Sequence, residues 1–277
     1  MSLRLSLAQW SLHRAIFSGR LRSEDFPVVA RRDFGIDAVE LVSQILRSAR
    51  PEPIAEIRRR AAGEGVKVLL IMVDDVGDLS HPKPRARKRA VSNHFPWIEA
   101  AARLGGHAVR INSGGEGRLP PKTAWLRGSA PELRECIQRC AESCASLAEF
   151  ARPFGISVLL ENHGGLSSNA EALVQVVKAS GSPEVGLLPD FGNFPAGVDR
   201  YAAVRTMLPH ARALSAKTFD FAPDGLETTI DFPRMMGLVS ESGYSGYVGI
   251  EYEGDRLPED EGIRRSKLLL DRWINGT

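Results

Sequence analysis

Two stretches decide the fold: VKVLLIMV at residues 66–73 and ISVLLEN at residues 156–162. Both are apolar on either side of the period-two alternation of a strand. That pattern suits a parallel strand covered by helices outside and by other strands' side chains inside. Similar short apolar runs occur at Leu3–Trp10, Ala38–Val42, Ala108–Asn112, Val185–Asp190, Arg212–Lys217 and Tyr247–Glu251, eight runs in all. Amphipathic segments lie between them. The clearest extends from Ser129 to about Arg152, where Ser129 and Glu132 form a capping box with Pro131 in the first turn. Leu133, Ile137, Cys140, Cys144, Leu147 and Ala151 then recur at helical spacing and define one buried stripe. After Pro258 a last helix sets Ile263, Leu269 and Trp273 toward the core. Eight alternating strand–helix units predict an α/β protein, a (β/α)8 TIM barrel, as a single domain over residues 1–277. The alternative is an open doubly wound sheet. It would carry a glycine-rich phosphate turn after the first strand, and Trp10-Ser11-Leu12-His13 is not one.

Composition narrows the partners. Lys+Arg 36 against Asp+Glu 34 gives a net charge of +2, which does not mark a polyanion binder. Lys83, Arg85, Arg87, Lys88 and Arg89 are clustered, but no aromatic residue interleaves them, so they read as solvated cations at the start of an outer helix. No nucleic-acid partner is expected. The opening MSLRLSLAQW alternates as a strand does, and no apolar run approaches the ~20 residues a membrane span needs. A cytoplasmic location is the expectation, with a removed export signal left open. Cys136, Cys140 and Cys144 lie one helical turn apart and read as small buried side chains.

Active sites of α/β barrels form at the carboxyl ends of the strands. The polar residues that end the apolar runs are therefore the informative ones. They are Asp74 and Asp75, Glu161 with Asn162 and His163, Asp190, Ser215 and Lys217, and Glu251 with Glu253; the second run holds Glu40, and the fourth carries Arg110 and Asn112. Glu161, Asp190 and Glu251 each follow a strongly apolar run. Three carboxylates buried together repel one another and lose hydration; a hard divalent cation such as Mg2+ or Mn2+ removes both penalties. Separate pairing of each with a cap or a cation is the alternative.

LLEN at 159–162, LLPDFGNF at 187–194, LSAKTFDF at 214–221 and GYVGIEYEG at 246–254 resemble the sugar phosphate isomerase/epimerase superfamily, the xylose isomerase-like TIM barrels. The resemblance implies metal ligands Glu161, Asp190 and Glu251, with catalytic roles for Glu161, Glu251 and Lys217. His163, Asn193, Arg110, Glu40 and Ser215 are expected to bind a small-molecule carbohydrate. Ser215 stands where the family has His, and Asn193 where it has the His of an Asp-x-x-His pattern. The implied reaction is metal-dependent isomerisation or epimerisation of a sugar or sugar phosphate, by proton abstraction next to a carbonyl through an enediolate. A dehydratase would begin with the same step, and a non-catalytic sugar-binding barrel would tolerate the lost ligand. A nuclease built on this fold would need more metal ligands than six His and these carboxylates supply. Self-association is left open.

Overall fold

The structure, a computed structural model, describes residues 3–115 and 131–274. Its strands are β1 (Leu3–Ala8), β2 (Ala38–Val42), β3 (Lys67–Val73), β4 (Ala108–Ile111), β5 (Ser157–Glu161), β6 (Val185–Leu188), β7 (Leu214–Thr218) and β8 (Gly246–Tyr252). All pair in parallel, in the order β6-β5-β4-β3-β2-β1-β8-β7. The two free edges meet through parallel bridges, Leu187 with Ala211 and Asp190 with Ser215. Arg212 N donates to Leu187 O at 2.9 Å and Ser215 N to Pro189 O at 3.0 Å. Pro189 has no N–H, so a continuous ladder cannot form there. This is why β6 stops at Leu188 and not at Asp190, as its apolar run suggests. Likewise β1 ends at Ala8, and Gln9–Leu12 turn into a 3-10 helix.

Outer helices follow the strands: α1 (Phe26–Phe34), α2 (Pro51–Gly63), α3 (Pro84–Leu104), α4 (Pro131–Ala151), α5 (Ala170–Ser180), α6 (Arg200–Met207), α7 (Phe232–Glu241) and α8 (Glu259–Ile274). The expected cap of α4, Ser129, lies outside the described residues. Its stripe behaves as expected: Cys136, Cys140, Cys144, Leu147 and Ala151 are all buried. Lys83, Arg85, Lys88 and Arg89 are exposed at the start of α3, while Arg87 reaches back to His81 O and pairs with Glu142. Inside the ring Ala8, Ala38, Val42, Leu70, Met72, Ala108, Leu159 and Leu188 form a smaller apolar cluster spread over several heights of the barrel. The outward faces of the strands pack against the helices in a larger cluster. Among the described residues no helix is long and apolar enough to cross a membrane.

Candidate active site

Because every strand runs the same way, the residues that end β5, β6 and β8 come out on one face. Glu161 closes β5, Asp190 follows β6 by two residues, and Glu251 lies opposite Lys217 in the β7–β8 register. Ligand-capable oxygens of Glu161, Asp190 and Glu251 all lie within 4.8 Å of one another, and all three side chains are buried.

Local hydrogen bonds aim these carboxylates. Asn162 clamps Asp190 where Pro189 interrupts the ladder: its Nδ2 donates to Asp190 O at 2.9 Å and its Oδ1 accepts Asp190 N at 2.7 Å. Asp190 Oδ1 then accepts the backbone N–H groups of Gly192 (2.8 Å) and Asn193 (2.6 Å). Its Oδ2 is left buried and without a hydrogen bond. Asn193 bridges the cluster, donating to Glu161 Oε1 at 3.3 Å and accepting from Lys217 Nζ at 3.0 Å. Lys217 Nζ is also 3.1 Å from Glu253 Oε1 and 3.7 Å from Glu251 Oε1. The lysine chain passes over Gly192, where a Cβ would stand 2.8 Å from Lys217 Cδ, so only glycine leaves it room. Ser215 Oγ donates to Glu251 Oε2 at 2.8 Å. Arg110 lies between Asp74 and Glu161, with Nε 2.9 Å from Glu161 Oε2.

The electrostatics follow from burial. Desolvation pushes the Glu161 carboxyl up to about 8; Arg110 works against this, and Asp190 and Glu251 add to it. Asp190 is raised for the same first reason, with Lys217 opposing. For Lys217 burial acts to lower the ammonium, but the carboxylates of Glu251, Asp190, Glu253 and Glu161 outweigh it and hold it well above its usual range. Burial acts to raise Asp74, yet Arg110 beside it carries the net shift below the ordinary carboxylate value.

A pocket of about 620 Å3 opens beside the cluster, and its wall includes Trp10, Asp74, Arg110, Asn112, His163 and Glu251. The structure thus brings together Glu161, Asp190, Glu251, Lys217, Ser215, Asn193 and Arg110, with His163 on the pocket wall. His163 is exposed on that wall, just past the end of β5. Its backbone N–H donates to Glu161 O at 3.0 Å, and that tight turn ends the alternation. Glu40 is not brought to the pocket. It sits lower in the barrel interior, where its Oε1 accepts from Ser6 Oγ at 2.6 Å, and it lines a separate cavity of about 240 Å3 with Arg4, His107, Arg212 and Tyr247. Asp74 and Asn162, marked only as strand-end polar residues, and Trp10 join the site without a role having been legible for them. Asp74 directly follows β3, so strand-end position alone marks it; nothing in the spacing marks the Asn162 clamp.

The xylose isomerase-like TIM barrel model matches residues 29–273. The chain belongs to that family. A search of curated protein sequences finds no match. Among solved structures the barrel resembles L-ribulose 3-epimerase (TM-score 0.75, 18% identity, 100% of this chain and 95% of that one). It is also similar to a D-tagatose 3-epimerase-like protein (0.73, 18%, 100% and 99%). A third neighbour is the IolI protein with a bound zinc atom (0.76, 14%, 100% and 99%). At these identities the likeness carries the fold alone. The xylose isomerase-like site of this chain is nonetheless suited to a metal on its own geometry. Glu161 Oε2 and Asp190 Oδ2 are buried, lack hydrogen bonds and belong to one triad of oxygen donors, the chemistry a hard divalent cation requires.

Proposed function

We propose that the protein is a divalent-metal-dependent isomerase or epimerase of a small keto-sugar, working by proton transfer next to the carbonyl. The observation that carries this reading is the buried triad, two of whose oxygens accept no hydrogen bond, set beside an open pocket. Glu161, Asp190 and Glu251 would hold Mn2+ or Mg2+, and the ion would supply Lewis-acid stabilisation of the oxygen charge that develops during enolisation. Glu161 and Glu251 are the proton-handling groups: one removes the carbon-bound proton, and the other returns a proton to the enediolate. Burial raises the Glu161 carboxyl in the metal-free protein, and a bound cation would oppose that rise and keep it ionised, the form that accepts a proton. Lys217, fixed by Asn193 and Glu253, places a permanent positive charge next to Glu251. His163 and Asn112 on the pocket wall offer hydrogen bonds to substrate hydroxyls.

The test is carbon-bound proton exchange in D2O, followed by NMR, over a panel of keto-sugars and their phosphates with the Mn2+-loaded protein. Glu161→Gln and Glu251→Gln keep the side-chain shape but remove the proton-transfer group. Each is expected to lower turnover by about a thousandfold, within the range general acid–base groups supply. Exchange followed by loss of water would assign the chain to the lyases instead. No exchange with any substrate of the panel, in a protein that binds the ion, would remove the enzymatic reading.

A further inference from the structure

Arg110 is buried, and its Nη1 donates to Asp74 Oδ1. Its Nε stands 2.9 Å from Glu161 Oε2, yet both atoms lack a hydrogen bond, because the N–H does not point along that line. The reason lies in the fork. A guanidinium is planar and rigid, so holding Nη1 fixes the direction of the Nε–H as well. Asp74 holds Nη1 from a braced position: Oδ1 also accepts Asn112 Nδ2 at 2.7 Å, and its backbone N–H donates to Ser43 Oγ at 2.9 Å. The next residue, Asp75, takes a φ of 60° and turns the chain away from β3.

We infer that Asp74 is a positioning residue: through Arg110 it keeps Oε2 of Glu161 free of an aligned hydrogen bond, and so available to a divalent ion, while leaving a compensating positive charge beside it. This role rests on the metal reading proposed above. Without the Asp74 charge the guanidinium would rotate into an aligned, charge-assisted hydrogen bond with Glu161. The ion would then have to displace that bond before it could bind.

Mn2+ titration calorimetry on Asp74→Asn, Arg110→Met and the double variant tests the inference. Asp74→Asn alone is expected to weaken Mn2+ binding about tenfold, equivalent to ~1.4 kcal/mol. In the Arg110→Met background the same change is expected to alter affinity less than about twofold, since coupled residues are non-additive. An equal loss with and without Arg110 would mean that Asp74 acts on the ion directly, and the inference would fall. Wild-type affinity in Asp74→Asn would overturn it too. A second measurement needs no metal: the Arg110 Nε–H proton resonance, which should move downfield in metal-free Asp74→Asn as the hydrogen bond to Glu161 forms. An unmoved resonance overturns the positioning role even if the wild-type protein binds no Mn2+, in which case the metal reading fails separately. Should Asp74→Asn not fold, Asp74→Ser takes its place in both measurements.

Discussion

Ser215 shows how a single side chain sets the terms of the site. It is buried, and its hydroxyl donates to Glu251 Oε2 at 2.8 Å while also lying beside the Asp190 carboxyl. Its backbone closes the barrel against Pro189 and Phe191. An imidazole here would bring a nitrogen ligand to the triad and release the oxygen that Ser215 now occupies. Ser215→His is therefore expected to tighten Mn2+ binding by about tenfold, ~1.4 kcal/mol, because imidazole suits such ions. Calorimetric titration of both proteins at one pH is the check; unchanged or weaker affinity in a folded variant would show that the position cannot serve as a ligand. Turnover need not follow affinity, since the imidazole would occupy space next to Glu251. Residues of this kind were legible in the sequence because an apolar run followed by a carboxylate or hydroxyl marks a strand end. Glu40 was not. Alternation reveals that it faces inward but not how far along the barrel axis it lies, and it falls one layer below Val42.

The elements were legible wherever a strand stands between helices, and least so where a particular residue interrupts a ladder. Pro189 shortened β6, and the turn after Glu161 ended β5; both effects depend on hydrogen bonds that periodicity does not record. The helices obey local rules more closely. Asp231 caps α7, its Oδ1 accepting Arg234 N at 3.0 Å, with Pro233 in the first turn. Asp231→Ala should cost about 1 kcal/mol of stability, read as a fall of roughly 2–4 °C in Tm. A change within error would mean that tertiary packing of α7 alone holds its first turn. On α4 the stripe of Cys136, Cys140 and Cys144 is buried in the native fold. All three thiols should resist an aqueous disulfide reagent until denaturant is added and then react together, which a colorimetric thiol titration shows directly. Rapid native reaction at any of them would place that residue at the surface.

The whole barrel carries a further consequence of its interior carboxylates. Glu40 is 1% exposed, and its Oε2 has no hydrogen bond. A Cβ at Gly249 opposite would stand 2.6 Å from Glu40 Oε1, so a larger residue there would displace the carboxyl. Groups facing Glu40 include Ser6 from β1, Arg110 from β4, Glu251 from β8 and Tyr244 before β8, while the cavity below it contributes Arg4, His107, Arg212 and Tyr247. Desolvation dominates and raises the carboxyl from 4.5 to about 7; Ser6 and Arg110 oppose the rise, and Glu251 adds to it. A carboxyl raised in the folded state binds its proton more tightly there than in the unfolded chain. Its contribution to stability is therefore complete below pH 4.5 and is lost as pH climbs through about 7. For a shift of this size the loss is on the order of 3 kcal/mol. Glu40→Gln keeps the acceptor for Ser6 but cannot ionise, so it should escape that loss. Guanidinium chloride unfolding with EDTA present, from pH 5 to pH 8, gives the comparison. EDTA keeps metal binding from masking the trend, and Glu161 contributes equally to both proteins, so the difference between the curves belongs to Glu40. Wild-type stability should fall more steeply than that of Glu40→Gln, and the variant should be the more stable protein at pH 8. Parallel curves would mean that water in the lower cavity already solvates the carboxylate and that the barrel interior is wetter than its burial implies.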